Sequence, residues 1–426
     1  MYEKLLKLDL KHIWHPCTQM KDHEKLPLII AKKAKGMYIY DYNNKSYIDC
    51  ISSWWVNLFG HCDDRISIAI QNQLKELEHV LLAGVSHKPI IDLATRLCDL
   101  LPNPLNKCFF ADNGSSAIEI ALKMSFHYHL NKGHKKHKFL ALSNSYHGET
   151  LGALSIGNLG LYKKTYKPLL LNTLITPVST SDDFSKELKI LENILKKEAK
   201  NICAFILEPL IQCAGNMHFY SKNFIKEACK VCKKYNIDII FDEIAVGFGR
   251  SGEMFALQEC EVVPDYLCLS KGITGGFLPL SVVVTNDEVY DAFYDDYKSN
   301  KAFLHSHSYT GNALACAAAN AVLDIFEQDQ IIKNNKTKAK FIKEEWFKLA
   351  NNTKLGNFRA KGMVFAFDIL KSKHDRIAMW LCNEALKRGL LIRPLANTVY
   401  LMPPYIINYD QVKFIVNTLD DILKDL

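Results

Sequence analysis

The sequence predicts an α/β protein whose larger part is built on a mostly parallel sheet. In the middle of the chain, short apolar runs alternate with longer helical patterns, which is typical of βαβ units. The 426 residues leave room for more than one domain, and a content of 48% hydrophobic and 23% charged residues is ordinary for a globular protein. This composition excludes disorder for most of the chain.

The elements begin, in chain order, with a small meander over residues 36–51 that turns at Asn43 and Asn44. The strands expected in the middle of the chain are 107–110, 139–143, 204–208, 237–242, 266–270 and 280–285. The helices expected between them are 115–130, 184–197, 221–235 and 312–328. After residue 330, a long helix rich in Lys and Glu precedes short strands near 363–369 and 391–394.

The order of these elements also predicts the domain organisation. No linker rich in Pro, Gly or Ser divides the chain, so the boundaries are inferred from the elements themselves. We expect a large α/β domain over residues 61–329. We expect a smaller α+β domain that is assembled from both chain ends, residues 1–60 and 330–426.

Charge and cysteine usage exclude several classes of protein. The net charge of +7 is mildly basic, and the lysines of residues 133–138 lack aromatic neighbours, so nucleic-acid binding is not expected. The thirteen cysteines contain one isolated C-x-x-C, Cys229 and Cys232, which argues against zinc or a disulfide framework and favours a reducing cytoplasm. The chain start mixes charged with apolar residues, and no apolar run approaches the roughly 18 residues of a membrane span. We therefore expect a cytoplasmic protein without a metal or a membrane segment.

Two predicted strands end in residues that could carry chemistry. The strand at 237–242 ends in Asp242, and the strand at 266–270 is followed by Lys271 and then Gly272. Ligands of open α/β sheets gather outside the carboxyl ends of the strands. Desolvation there would lower the pKa of the Lys271 amine and make it a nucleophile, while Asp242 could keep a pyridinium nitrogen protonated. The alternative for Lys271 is an exposed side chain at a loop.

A second candidate is the turn that joins the strand at 107–110 to the next helix. Gly114 and Ser115 lie at the predicted helix start, where free backbone N–H groups suit a phosphate. The alternative is a capping box between Ser116 and Glu119, which would need no ligand.

Aromatic and polar residues near other predicted boundaries are weaker candidates. Tyr146 follows a strand and could stack on a flat ring, or it could simply cover the core. Trp54 and Trp55 lie near the first domain boundary and could be core residues or line a cleft. Arg393 follows a strand and could bind a carboxylate through two parallel hydrogen bonds, or it could lie on the surface. The loop at 305–312 holds two histidines without accompanying acids or cysteines, so we expect it to contact a phosphate and not a metal.

These segments together resemble the class III pyridoxal phosphate aminotransferases of fold type I. Residues 242–252 are similar to the signature of that class, and residues 270–272 are similar to its Schiff-base lysine segment. Within the class, residues 14–16, 52–55, 146–148, 274–276 and 400–405 resemble the biotin-pathway branch. The resemblance runs from residue 11 to beyond residue 410 and implies a mostly parallel seven-stranded sheet in the large domain.

The resemblance implies a role for each candidate residue. Lys271 would form the Schiff base with pyridoxal phosphate and move the proton between Cα and C4′, and Asp242 would pair with the pyridinium nitrogen. Tyr146 would serve catalysis and contact the cofactor. The phosphate would be bound by Gly114 and Ser115 of one subunit and by His307 and Ser308 of the other, which implies an obligate homodimer. The substrate site would be lined by Trp54, Tyr146, Lys271, Ser306, Arg393 and Cys17, with Arg393 taking the carboxylate of the keto acid.

The biotin-pathway branch implies a particular reaction. Its acceptor is 8-amino-7-oxononanoate, its product is 7,8-diaminononanoate, and S-adenosylmethionine is the expected amino donor. Two positions depart from the commonest pattern of the branch: Cys17 stands where many members have Tyr, and Ser306, His307 and Ser308 stand where many have Gly, Pro and Thr. Lysine therefore stays open as the donor. The alternatives are a class III enzyme for an ω-amino acid or diamine, and a non-catalytic or nucleic-acid-binding protein on this fold, which the intact Asp242 and Lys271 oppose.

Overall fold

The structure is a computed structural model that describes residues 1–26, 28–181 and 183–426. The chain divides into two compact units. The central unit comprises residues 65–332, and the terminal unit combines residues 1–64 with residues 333–426. Within the described residues, we find no helix with the length and apolarity needed to cross a membrane.

The strands and helices are as follows. The strands are β1 Ala31–Lys35, β2 Tyr38–Asp41, β3 Ser46–Asp49, β4 Lys107–Ala111, β5 Lys138–Leu142, β6 Thr173–Thr176, β7 Ile202–Leu207, β8 Ile211–Gln212, β9 His218–Phe219, β10 Asp238–Asp242, β11 Tyr266–Leu269, β12 Ser281–Thr285, β13 Leu355–Lys361, β14 Val364–Ile369, β15 Leu390–Leu391 and β16 Thr398–Leu401. The helices are α1 Tyr2–His12, α2 Ser52–Trp55, α3 Asp64–Leu74, α4 Lys88–Leu100, α5 Gly114–Asn131, α6 Leu151–Ile156, α7 Gly160–Lys163, α8 Ser185–Glu198, α9 Lys222–Lys234, α10 Ala256–Cys260, α11 Asp287–Asp291, α12 Ala313–Gln328, α13 Ile331–Phe347, α14 Ile377–Lys387 and α15 Tyr409–Leu423.

A seven-stranded sheet forms the middle of the central unit. Its strand order is β4-β12-β11-β10-β7-β5-β6, and β12 alone runs against the other six strands. The prediction of a mostly parallel seven-stranded sheet is confirmed. The sequence did not predict β6, whose four residues begin and end in threonine and lie at the sheet edge.

Burial on both faces explains why the central strands are continuous apolar runs. Every residue of β7, β10, β11 and β12 is buried, because helices cover both faces of such a sheet. The helix α5 contributes Ala117, Ile118 and Ala121 to the same core. These residues recur at helical spacing, so one face of α5 packs on the sheet and its first turn is held at the sheet edge.

Two smaller sheets form the terminal unit. The first has the order β1-β2-β3-β15 and the second the order β13-β14-β16. The parallel pair of β3 and β15 joins the two ends of the chain, with Leu390 opposite Ile48 and Leu391 opposite Asp49. The meander expected at residues 36–51 is present as β2 and β3.

Candidate active site

The carboxylate of Asp242 lies at the carboxyl end of β10 and is buried. Its Oδ1 accepts a hydrogen bond from the backbone N–H of Ile244 at 3.1 Å. Its Oδ2 lies 2.7 Å from Nδ1 of His147, whose side chain is also buried. The two contacts fix the carboxylate at the edge where ligands of parallel sheets bind.

The amine of Lys271 belongs to the neighbouring strand end. β10 and β11 are parallel neighbours in which Asp242 lies opposite Cys268, and Lys271 follows β11 directly after Ser270. The Ser270 hydroxyl donates to the carbonyl of Leu280 at 2.8 Å and anchors this turn. Burial lowers the pKa of the Lys271 amine, although the carboxylate of Asp242 favours the charged form. The neutral amine that a nucleophile needs is therefore favoured.

A second acid, Glu208, follows β7 on the other side of β10 and is buried. Its two carboxylate oxygens accept the backbone N–H groups of Tyr146 at 2.9 Å and Cys213 at 3.2 Å. Burial, reinforced by the charge of Asp242, raises the pKa of Glu208 well above its ordinary value. The strand predicted at 204–208 ends in Glu208, to which the sequence assigns no role. An acid that closes an apolar strand, as Asp242 does, was the available signal.

The role of His147 was also missed. Residues 146–148 resemble a segment of the biotin-pathway branch, but chemistry was expected of Tyr146 only. In the structure the imidazole contacts Asp242 through Nδ1, and its buried Nε2 has no hydrogen-bond partner among the described residues. Its place in that segment was the available signal, but no local pattern pairs a histidine with an acid 95 residues away.

The turn before α5 has the geometry of an anion site. Asn113 caps this 18-residue helix, and its side chain accepts the N–H of Ser116 at 3.0 Å. The alternative of a capping box between Ser116 and Glu119 is wrong, because Glu119 accepts hydrogen bonds from Thr150 and the segment after it. The remaining N–H groups at the helix start and the positive end of the helix dipole suit a phosphate.

Gly148 shapes the same turn from outside. Its φ is +122°, and a Cβ at this position would collide with the hydroxyl of Ser115. The N–H of Glu149 donates to Ser115 Oγ at 3.2 Å, so this oxygen already accepts one bond and its own proton can be donated to a ligand. A side chain at Gly148 would therefore displace Ser115.

The side chain of Tyr146 is half-buried beside these residues. Its hydroxyl donates to Glu149 Oε1 at 3.1 Å, and its ring lies 5.3 Å from that of Tyr162. The expected contact of Tyr146 with a flat cofactor ring stays a prediction.

The loop at 305–312 lies close to the α5 turn of the same chain. Nε2 of His307 is 3.9 Å from Oδ1 of Asp112, and Nδ1 of His307 accepts the N–H of Tyr309 at 3.2 Å. The side chains of Ser306 and Ser308 are exposed. Within residues 1–26, 28–181 and 183–426, no group of three or more His, Cys, Asp or Glu residues is placed to hold a metal ion.

Three of the candidate substrate residues meet in the terminal unit. The guanidinium of Arg393 lies over the ring of Trp54, with its Cζ 4.7 Å from the ring centroid. Nη2 of Arg393 donates to the backbone carbonyl of Cys17 at 3.2 Å. Stacking on Trp54 fixes the guanidinium plane and leaves other N–H groups available for a carboxylate.

Residues Ser52–Trp55, which we call the tryptophan turn, form one turn of left-handed helix. Their φ angles are +51°, +45°, +73° and +74°. The N–H of Trp55 donates to the carbonyl of Ile51 at 2.8 Å. In residues with a Cβ this conformation costs roughly 1–2 kcal/mol each. Such strain persists only where neighbouring contacts impose it, and it clusters at ligand-binding segments.

The tryptophan turn gives its two indoles different environments. Trp55 is 4% exposed, and its Nε1 donates to the hydroxyl of Tyr400 at 3.1 Å. Trp54 is 38% exposed. The core interpretation is therefore right for Trp55, whereas Trp54 presents its ring to Arg393.

The residues of the central unit fit pyridoxal phosphate. They include an amine whose pKa is lowered by burial, a buried carboxylate beside an imidazole, and a helix start that no side chain at Gly148 obstructs. An aldehyde, a pyridine nitrogen and a phosphate are the groups that this set would bind.

Comparisons with known proteins agree with this chemistry. The class III aminotransferase family matches residues 19–423. A relative from Helicobacter pylori named adenosylmethionine-8-amino-7-oxononanoate aminotransferase is 55% identical, over 100% of this chain and 98% of its own. The crystal structure of the enzyme of that name from Methanocaldococcus jannaschii has a TM-score of 0.94 at 34% identity, over 99% of both chains. An amine transaminase from an uncultivated Pseudomonas species, solved in its PLP-bound form, has a TM-score of 0.89 at 30% identity, over 96% of this chain and 97% of its own. The chain belongs to the class III aminotransferases, which are pyridoxal phosphate-dependent enzymes of fold type I.

Proposed function

We propose that this enzyme transfers an amino group to 8-amino-7-oxononanoate and produces 7,8-diaminononanoate, the transamination of biotin synthesis. The amino donor is S-adenosylmethionine. The observation that carries the proposal is the 55% identity, over the full chain, to the Helicobacter pylori enzyme whose name states this donor and this acceptor. The central unit supports the proposal with the amine of Lys271, the carboxylate of Asp242 and the turn before α5, which suits a phosphate.

The residues of the central unit divide the chemistry among them. When bound, pyridoxal phosphate supplies an electrophilic carbon and a ring that withdraws electrons. Lys271, whose amine has its pKa lowered by burial, would hold the cofactor through that carbon and would move the proton between Cα and C4′. Asp242 would hold the proton on the ring nitrogen, and Nδ1 of His147 donates to Oδ2 of Asp242 and fixes the position of the carboxylate. The Ser115 hydroxyl and the first N–H groups of α5 would hold the phosphate.

We assign recognition of the substrate to a set of polar and aromatic residues. Arg393 binds the carboxylate of 8-amino-7-oxononanoate, and the ring of Trp54 stacks on its guanidinium. Tyr146, with its hydroxyl on Glu149, contacts the cofactor and the substrate. Cys17 and Ser306 complete the substrate wall.

A panel of amino donors tests the reaction, with 8-amino-7-oxononanoate as acceptor and the product read by mass. We expect S-adenosylmethionine to yield 7,8-diaminononanoate. Lysine as the only effective donor would overturn the donor assignment and leave the acceptor in place. Activity only with ω-amino acids or diamines and their keto acids would overturn the proposed reaction.

The position of Cys17 provides a second test of the donor site. Cys17 is exposed, and its backbone carbonyl accepts from Arg393. Cys17→Tyr adds a ring and a hydroxyl to the wall, so we expect a changed KM for donor or acceptor. The visible absorbance of the bound cofactor should stay the same, because the change leaves Lys271 and Asp242 in place.

We further propose that the enzyme is a homodimer whose subunits share phosphate contacts through His307 and Ser308. This loop and the segment that leads into it expose apolar and aromatic side chains: Tyr297 is 96% exposed, Leu304 91% and Tyr309 66%. Burial of such side chains against a second copy would be favourable. The cytoplasmic location expected from the thirteen cysteines stays a prediction.

Subunit mixing tests the shared site. Equal amounts of Lys271→Ala and His307→Ala protein are unfolded, refolded together and assayed, with each variant refolded alone as the control. If the phosphate is shared, half of the dimers are mixed and hold one intact site each, so activity recovers to about a quarter of wild type. A mixture no more active than the better single variant would show that His307 acts within its own subunit.

A further inference from the structure

We infer that Asp49 is a positioning residue that holds the tryptophan turn in its left-handed form and thereby sets the place of Trp54 and Arg393. The inference rests on the proposed function in so far as Trp54 and Arg393 bind the keto acid. Asp49 closes β3, three residues before the turn begins, and is fully buried.

Three hydrogen bonds converge on the Asp49 carboxylate: one from the residue before the turn, one from the turn itself and one from His61. Its Oδ1 accepts the backbone N–H of Ile51 at 3.1 Å. Its Oδ2 accepts the hydroxyl of Ser53 at 2.8 Å and Nε2 of His61 at 3.0 Å. Burial raises the pKa of Asp49, but the hydrogen bonds from His61 and Ser53 outweigh it and hold the pKa below its ordinary value. An ionised acceptor makes each bond stronger than its neutral counterpart.

The sequence of the turn itself gives no reason for a left-handed conformation. Its four residues contain no glycine or asparagine, the residues that adopt positive φ most readily. Contacts outside the turn must therefore impose it. The hydroxyl of Ser52 donates to the carbonyl of Met402 at 2.8 Å, and Trp55 is held by Tyr400. The hydroxyl of Ser53, the residue before Trp54, donates to Asp49.

His61 ties Asp49 to the other side of the unit. Its backbone pairs with Gly36 in both directions, at 2.8 and 2.9 Å, so the imidazole starts from a fixed position. Asp49 thus connects the rigid β3 and the segment at His61 to a strained turn. Loss of the carboxylate would let Ser53 relax toward ordinary φ values, and the exposed Trp54 indole would move with it.

Asp41 provides a matched control in the same meander. It closes β2 as Asp49 closes β3, it is 3% exposed, and it also accepts two backbone N–H groups and a hydroxyl. Its partners are Asn43, Lys45 and Tyr47, and none of them belongs to the tryptophan turn. Asp41→Asn therefore reproduces the loss of a buried carboxylate without touching Trp54.

The test compares Asp49→Asn, Ser53→Ala and Asp41→Asn in the full-length holoenzyme. Misplacing a substrate-positioning group by about 1 Å can cost up to about a hundredfold, so we expect Asp49→Asn to raise KM for 8-amino-7-oxononanoate at least about tenfold. We expect kcat to change by less than about threefold, because the cofactor residues are untouched. Ser53→Ala, which removes one of the bonds, should show a smaller rise in KM, and Asp41→Asn should show none.

Fluorine NMR of protein labelled with 5-fluorotryptophan supplies a readout without substrate. The five tryptophans give five resonances, and Trp54→Phe identifies that of Trp54. Asp49→Asn should shift or broaden the Trp54 signal and leave that of the buried Trp346 in place. If Asp49→Asn does not fold, KM and the Trp54 resonance of Ser53→Ala test the proposal instead.

The two proposals fail in different ways. An Asp49→Asn enzyme with the KM and the Trp54 resonance of Asp41→Asn would overturn the positioning role. A wild-type enzyme that does not convert 8-amino-7-oxononanoate would overturn the proposed function, and the Trp54 resonance alone would then decide the role of Asp49.

Discussion

Removal of the His147 imidazole should weaken cofactor binding through Asp242. In the structure Nδ1 of His147 lies 2.7 Å from Oδ2 of Asp242, with both side chains buried. A hydrogen bond to a charged group contributes roughly 1.5–3 kcal/mol. His147→Ala would remove the bond to Oδ2 of Asp242 and leave that from the N–H of Ile244 to Oδ1, so Asp242 would hold the proton of the ring nitrogen less firmly.

The expected size of the effect follows from that range. At about 1.4 kcal/mol per factor of ten, the loss corresponds to roughly a ten- to hundredfold rise in Kd for pyridoxal phosphate. We expect the rate of the half-reaction to fall as well, because the ring withdraws electrons less effectively when its nitrogen is not protonated. His147→Asn, whose amide N–H₂ can replace the Nδ1 donor, should recover part of both losses.

His129 provides a matched control at the other end of the same strand. Its imidazole is buried, and Nε2 lies 3.1 Å from the carbonyl of Cys203 and 3.2 Å from Oδ1 of Asp238, which begins β10. His129→Ala should lower the thermal unfolding temperature as His147→Ala does, and it should leave the affinity for the cofactor unchanged. Apoprotein titrated with pyridoxal phosphate gives Kd, and thermal unfolding gives stability. Equal Kd values for His147→Ala and wild type would refute the reasoning.

Four further substitutions test the other parts of the site. Lys271→Ala should abolish the visible absorbance that the cofactor gains on bonding to lysine, and circular dichroism should show that the fold is retained. Wild-type turnover in this variant would contradict the role of Lys271. Asp242→Asn should keep much of the cofactor and lose at least about a hundredfold in rate, since an amide does not hold the ring-nitrogen proton, and unchanged single-turnover rates would move this role elsewhere. Gly148→Ala places a Cβ against Ser115 Oγ, so the affinity of the apoprotein for the cofactor should fall at least about tenfold. Gly133→Ala is the control, because its added Cβ meets no atom within 4 Å and should leave this affinity unchanged. Arg393→Ala should raise KM for the keto acid by roughly tenfold or more through loss of a charge-assisted bond, and equal acceptor affinity in both proteins would argue against a carboxylate partner.

Local patterns were enough to predict most of the large sheet. Strand ends at Asp242 and Lys271 were visible because a buried parallel strand is a continuous apolar run, and the first polar residue after it marks the edge of the sheet. The start of α5 was less certain. Ser116 and Glu119 have the spacing of a capping box, but Asn113 caps the helix and Glu119 serves the segment at 150–153. Only the packing of that segment against α5 could decide between the two.

The sequence by itself determined the α/β class, the positions of Asp242 and Lys271 after their strands, and the turn before α5, because each depends on residues close together in the chain. The tertiary structure decided the contacts between distant residues: His147 with Asp242, and Arg393 with Cys17, which lie 95 and 376 residues apart. It also decided the left-handed tryptophan turn, where local preference favours the opposite hand. There, buried hydrogen bonds that Asp49 and Met402 accept offset the conformational free-energy cost of the left-handed turn.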